Sequence, residues 1–566
     1  MSKKWWDSSI GYIIYPESFK DSNGDGIGDL NGIYQKLDYL AELGINLIWI
    51  CPIFASPMDD NGYDVSSYYD INPLFGTNED FRNLLDKAHR LGIKILIDLV
   101  INHTSSEHPW FKKAVSNLSS KEAGYYYFEK GIEKDGKLLP PNNWASFFGE
   151  SAWSNIEGTS YFYLHIFSSK MPDVNWNNHE LREEYYEIAK HYLDMGVDGF
   201  RLDAIAHLGK DLSFASSDKP ADLSGYVLDP SKFSNREEMY GFLLEFKNKV
   251  FSKYDCLTIG EAGGEITPKD CLRLVDKDNG SINMAFNFDT VWVNGAYGSI
   301  DKKDEEIKTD VITLKDNFKK WYDICHERAS MPLYWANHDH PRVLSQYGSV
   351  KYRSESAKCL LTTLLFMYGT PFIYQGDEIG MSNVNFTNVE DFYEDVGSKN
   401  LVKNMRSHGY SDDYIAHYLC RTSRINARTP MQWDDSFNAG FSNKPSKIKI
   451  NENYKQGVNV YEEMCDPYSI LNFYQYAISK RKSDEINSII TNGKFDLLDR
   501  NHPDVFAYKH ELGNEKLIVI SNFRDHDVYF SFYWRIKDVL LHNYEDVILK
   551  DHVFKLRPFE TFLLKV

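Results

Sequence analysis

The 566-residue chain sets 63 basic against 82 acidic side chains, and its net charge of −19 excludes nucleic acid and anionic membrane surfaces as natural partners. At 42 % apolar residues it is long and hydrophobic enough for one large domain and one or two smaller ones. The seven cysteines show no CxxC pair, "MSKKWWDSSIGYIIYPESF" lacks a signal-peptide core, and no segment approaches about eighteen uninterrupted apolar residues. A soluble, cytosolic protein with reduced thiols is expected.

In chain order, "GYIIYPESF" (11–19) reads as a first strand, and "DSNGDGIGDLNG" (21–32) follows it. There Asp21, Asn23, Asp25, the Ile27 carbonyl and Asp29 alternate as in a calcium loop, with Gly26 at the sharp turn; position twelve, normally a bidentate Glu, is Gly32. Asp, Asn and Gly also build plain turns, because their side chains bond the local backbone, so both readings stand. Three segments then repeat one pattern, an amphipathic helix closing on Gly with an apolar strand at once behind it: "YQKLDYLAELGINLIWICPI", "DFRNLLDKAHRLGIKILIDLVINH" and "EEYYEIAKHYLDMGVDGFRLDAIA". In the second, Phe81, Leu84, Leu85, Ala88 and Leu91 share a face, with Thr77 as N-cap and Gly92 as C-cap. Strands buried on both faces between helices mean a parallel α/β sheet. Further strands are expected at 257–262, 284–288, 333–339 and 371–380.

Eight strands over about 370 residues suggest a (β/α)8 TIM barrel, with a doubly wound sheet as second choice because no glycine-rich phosphate loop follows the first strand. The expected division is a barrel over 1–103 and 177–482, an aromatic-rich inserted subdomain over 104–176, and an all-β C-terminal sandwich over 483–566. A second insertion runs from 382 to about 460.

Barrel chemistry gathers at the C-terminal strand ends. These read "DLVINH", "GFRLDAIAH", "IGEA" and "WANHDHPR", and they bring three carboxylates, Asp203, Glu261 and Asp339. Paired carboxylates, one a nucleophile or base and the other a protonated acid, are what glycoside cleavage requires. Arg201, two residues before Asp203 and on the same strand face, would keep it ionised.

With "NGYDV" (61–65), "DLVINH" (98–103), "MPDVNW" (171–176), "GFRLDAIAH" (199–207), "IGEAGG" (259–264), "NHDHPR" (337–342) and "NARTPMQW" (426–433) in the family's order, the chain resembles the α-amylase family of glycoside hydrolases, in its oligo-1,6-glucosidase and α-glucosidase group. The resemblance implies Asp203 as nucleophile, Glu261 as acid/base and Asp339 as transition-state stabiliser. It implies that His103 and His338 bond the terminal glucose, that Tyr63 stacks on its ring, that Phe167 lines the subsite and that Arg201 orients Asp203. Arg342 closes the matching "NHDHPR" motif and is carried over as substrate-binding. Asp64 paired with Arg428 would grip the non-reducing end, which makes such enzymes exo-acting. The loop at 21–29 would hold a structural Ca²⁺, with no cofactor needed for catalysis.

Three departures stand out: His340 where relatives carry Gln, Ile425 where they carry Asp, and Ala204 where α-1,6-specific relatives usually carry Val. Ala204, with His207, points to a retaining exo-α-glucosidase for short α-1,4-glucosides such as maltose, a small oligosaccharide being its only partner. The alternatives are an oligo-1,6-glucosidase, a trehalose-6-phosphate hydrolase, a sucrose isomerase or, from another class, a non-catalytic transporter-associated protein.

Overall fold

The computed structural model describes residues 4–221, 224–296, 302–303 and 306–566. Eight parallel strands form the barrel: β1 (Gly11–Ile14), β2 (Leu47–Ile50), β3 (Lys94–Val100), β4 (Gly199–Asp203), β5 (Leu257–Glu261), β6 (Met284–Phe286), β7 (Pro332–Leu333) and β8 (Thr370–Tyr374). They lie in the order 6-5-4-3-2-1-8-7, one sheet wrapped almost into a closed ring. A helix follows each strand: α1 (Leu30–Leu43), α2 (Asn78–Arg90), α3 (His179–Met195), α4 (Glu237–Lys249), α5 (Pro268–Val275), α6 (Val311–Cys325), α7 (Arg353–Leu365) and α8 (Ile470–Lys482).

Local chemistry accounts for these elements. At α2, Thr77 and Asp80 form a reciprocal capping box, Phe81, Leu84, Leu85 and Ala88 are buried, and Gly92 leaves the helix at φ 74°, where a glycine costs least. Alternate strand residues divide into two cores. Ile13, Trp49, Leu96, Ile259, Phe286 and Phe372 fill the barrel interior, while Ile14, Ile48, Ile97 and Phe200 pack outward against the helices. Strand seven is shorter than 333–339, because the backbone turns where the Asn337 side chain accepts the Asp339 N–H at 2.8 Å.

The segment after β3 carries a small antiparallel sheet, in which Tyr161–Leu164 pairs with Phe128–Lys130 and Trp153–Asn155. Its Trp144 and Trp153 are core, buried with Tyr127, Phe162, Leu164 and Ile166. The segment after β8 adds helices Val396–Ser407 and Asp412–Thr422 over their own core. At the C-terminus a five-stranded and a three-stranded sheet share one apolar core that includes Val505, Ile518, Val528, Phe554 and Phe562. All seven cysteines are unpaired, and among the described residues no helix is long and apolar enough to cross a membrane.

Candidate active site

The polar strand ends converge on one guanidinium. Arg201, 2 % exposed, bonds Asp98 at 2.8 Å and, more closely, Asp203 through Nη1, and it bonds Glu261 at 2.9 Å through Nη2. Neighbouring strands β3, β4 and β5 thus each supply one carboxylate to a single cation. Burial pushes Asp203 up to about 7 and Asp98 up to about 6, in both cases against the pull of Arg201. Burial also raises Glu261, again against Arg201 and with help from the charges of Asp203 and Asp339. Three acids facing one arginine crowd negative charge, which favours a proton on one of them, as an acid-plus-nucleophile pair requires.

Asp339 is the opposite case. Its Oδ1 accepts from Arg424 and from Arg428, both at 2.9 Å, and its Oδ2 lies 3.1 Å from His338 Nε2. Despite burial, His338 and the two arginines hold this carboxyl well below the usual range. His338 is buried and its pKa lowered by that burial; its Nε2 lies 2.6 Å from the Tyr63 hydroxyl and its Nδ1 3.3 Å from Cys51 Sγ. The Tyr63 ring stacks on His338 at 5.5 Å between centroids. On the opposite wall His103, with its pKa lowered to about 4 by burial, meets Phe167 of the inserted segment at 5.3 Å, and Phe167 meets His207 at 5.9 Å. His207 Nδ1 is occupied by the Ser234 hydroxyl at 2.9 Å.

Two expected assignments change. Asp64 does not meet Arg428: it is fully buried and accepts from the Ser56 hydroxyl and the N–H groups of Asp59 and Asp60. From this loop it is Asp60 that reaches a site arginine, at 2.7 Å from Arg424, which also bonds Asp395 at 2.6 Å. Arg342 is fully buried and donates to the Asn426, Gln375 and Thr429 carbonyls, so it braces the loop bearing Arg428 from behind and does not face substrate. Ala204 sits beside the nucleophile, as expected, at φ 49° and with its N–H donated to Glu261 Oε2 at 3.3 Å. Sequence reading missed Asp60, Arg424 and Asp395. Arg424 stands four residues before Arg428, and that spacing of two arginines beside an acidic cleft was the available signal.

The loop at 21–29 is knit by its own side chains. Asp21 accepts from the N–H groups of Asn23, Gly24 and Gly26 and from the Ser442 hydroxyl, Asn23 accepts from Asp25 N, and Asp25 from Ile27 N. Asp29 is the N-cap of α1, bonding Gly32 N at 2.7 Å. The donor set is oxygen throughout and suits a hard cation in kind. The three carboxylates are not, however, among the groups of His, Cys, Asp and Glu that converge within 4.8 Å among the described residues.

The α-amylase catalytic domain matches residues 13–491. An oligo-1,6-glucosidase of Parageobacillus thermoglucosidasius is 41 % identical over 100 % of both chains, and a trehalose-6-phosphate hydrolase of Bacillus subtilis is 38 % identical over 99 % of this chain and 98 % of its own. The crystal structure of Bacillus licheniformis trehalose-6-phosphate hydrolase superposes with a TM-score of 0.90 at 36 % identity, covering 100 % of both chains. With a full-length match, a barrel of eight strands and carboxylates gathered at its C-terminal strand ends, the chain belongs to the α-amylase family of glycoside hydrolases.

Proposed function

We propose that this glycoside hydrolase is a retaining oligo-1,6-glucosidase that removes terminal glucose from short α-1,6-linked glucosides such as isomaltose. The expected preference for maltose rested mainly on a small side chain at 204, a single position, which the likeness along the whole chain outweighs. The full-length likeness to an oligo-1,6-glucosidase then favours the α-1,6 reading.

The observation that carries the chemistry is the sharing of Arg201 between Asp203 and Glu261. Carboxylates spaced by a single guanidinium suit the separation of about 5–5.5 Å typical of retaining enzymes better than the wider gap of about 6.5–9.5 Å that admits a water between the carboxyls. Asp203 attacks the anomeric carbon while Glu261 gives its proton to the departing glycosidic oxygen; Glu261 then takes a proton from the water that releases glucose. Asp339, held ionised by two arginines, supplies negative charge beside the oxocarbenium-like transition state. For the loop at 21–29 the proposal is a structural calcium ion held by Asp21, Asn23, Asp25, the Ile27 carbonyl and Asp29, remote from the reacting bond and supplying no chemistry to it.

A second reading, trehalose-6-phosphate hydrolysis, draws on the matching fold of the Bacillus licheniformis enzyme. The ion pairs of Arg201, Arg424 and Arg428 serve the carboxylates of the cleavage site and do not distinguish the two substrates. Assays of the purified protein on isomaltose, maltose, sucrose, trehalose and trehalose-6-phosphate decide between them. Isomaltose should give the highest kcat/KM, with α-glucose as the first anomer released; a preference for maltose or for the phosphorylated sugar would overturn the α-1,6 reading, and β-glucose the retaining one.

A further inference from the structure

Lys210 lies seven residues beyond the nucleophile and has no counterpart in the chemistry above. Its side chain is wholly buried, as is that of its partner Asp173, 2.9 Å away. The ammonium donates to two acceptors, Asn102 Oδ1 at 3.1 Å and the His207 carbonyl, and forms an ion pair with Asp173 Oδ2. Each belongs to a segment that carries a site residue. Asn102 precedes His103 at the end of β3, Asp173 bridges His103 across an isolated antiparallel pair and accepts the Ile166 N–H beside Phe167, and His207 ends the turn that follows Asp203.

The bond to Asn102 has a directional consequence. A lysine can only donate, so it fixes which end of the Asn102 amide is oxygen, and the NH₂ end is then turned to His103 Nδ1, 3.2 Å away. An amide NH₂ can only donate as well, so Nδ1 must accept, and the single proton of the neutral imidazole is placed on Nε2. Nε2 is buried and makes no well-formed hydrogen bond within the protein, the Tyr63 backbone being the polar group near the ring. A buried donor without an acceptor costs free energy unless something else receives its bond.

We propose that Lys210 is a positioning residue which, through Asn102, locks His103 in the Nε2–H tautomer and so presents a hydrogen-bond donor to a hydroxyl oxygen of the glucose bound beside Asp203. Asp173 holds the lysine's charge in place, and the inserted segment is thereby coupled to the tautomer of a barrel histidine. The inference rests on the reading of His103 as a ligand of that glucose, and its test separates the two.

The test is Asn102→Asp, which keeps the size of the side chain and the bond to Lys210 but offers His103 an acceptor in place of a donor, alongside Lys210→Met. Protein labelled with ¹⁵N-histidine, with the His103 signals identified by their loss in His103→Gln, reports the tautomer directly. Wild type should show Nε2–H; Asn102→Asp should move the proton to Nδ1 or charge the ring, and Lys210→Met should give a mixture. Against 4-nitrophenyl α-glucoside, both variants should lose kcat/KM on the order of tenfold to a hundredfold, the worth of one buried hydrogen bond, with the inhibition constant for glucose rising in step. A His103 that stays Nε2–H in folded Asn102→Asp overturns the proposal, whatever the kcat/KM. Should Lys210→Met fail to fold, Asn102→Asp alone decides. An altered tautomer with unchanged glucose affinity would refute the ligand role of His103 while leaving the relay standing.

Discussion

At the scale of single residues, the site is an arrangement of too many acids around too few cations. Asp203→Asn and Glu261→Gln should each lower kcat by several orders of magnitude with an unchanged melting temperature, one removing the nucleophile and the other the proton donor. The crowding also predicts a pH dependence. Asp203 is raised to about 7 by burial and, in part, by the charge of Asp98, so kcat/KM should fall as pH drops below about 7 and the nucleophile takes up a proton. Asp98→Asn removes a like charge and frees Arg201 for its other partners, both of which lower the Asp203 pKa, and the acid limb should move to lower pH. A limb that stays put, or moves up, in a pH–kcat/KM series would contradict the electrostatic reading. Ala204 shows what sequence alone does not carry. Its size was legible, and its φ of 49°, at which a β-branched side chain is strained, was not. Ala204→Val should therefore cost about 1–3 kcal/mol of stability and weaken cleavage of isomaltose and maltose together. An unchanged melting temperature with a shifted isomaltose-to-maltose ratio would restore the specificity reading.

At the scale of elements, legibility followed the reach of the interactions. Strands β1 to β6 and helix α2 were readable because periodicity, caps and C-terminal glycines act within a few residues. Asp60 pairing with Arg424 was not, because 364 positions separate them and two other acids lie within four residues of Asp60. The loop at 21–29 falls between these cases. Its Gly32, which broke the calcium-loop pattern, has a packing reason: a Cβ there would come within 1.9 Å of the Lys20 carbonyl, so no glutamate fits at that position. Without a bidentate twelfth ligand, a calcium ion would lean on Asp25, which is exposed and whose Oδ1 alone is tied back to Ile27. If the ion binds, added Ca²⁺ should raise the melting temperature and a chelator lower it, by mass action on the native state, and Asp25→Asn should blunt both shifts. A melting temperature indifferent to calcium and chelator would identify the loop as a turn closed by its own N–H groups.

At the scale of the whole molecule, the barrel and the C-terminal sheets are joined by more than apolar contact. Lys315 on α6 is fully buried and donates to the carbonyls of Asp499, His502 and Val505 at 2.8–3.0 Å, at the entrance to strand Val505–Leu512. No carboxylate balances it within bonding distance among the described residues, and burial lowers its pKa to about 8. A buried ammonium satisfied by three backbone carbonyls is held in place by geometry, and a methionine of similar length can fill the space but not meet the oxygens. Lys315→Met should therefore leave three carbonyls unmet at about 1–3 kcal/mol for each that water cannot reach, offset in part by no longer burying a charge. The net expectation is a loss of a few degrees or more in melting temperature, with faster hydrogen exchange across 499–512 and kcat/KM on isomaltose intact at 25 °C, because the carbonyls that Lys315 meets belong to the C-terminal sheets and to none of the site residues. Calorimetry and exchange read together make this decisive. A variant as stable and as protected as wild type would mean that apolar packing by itself holds the C-terminal sheets to the barrel, and a variant that loses catalysis before it loses structure would mean that those sheets help to shape the site.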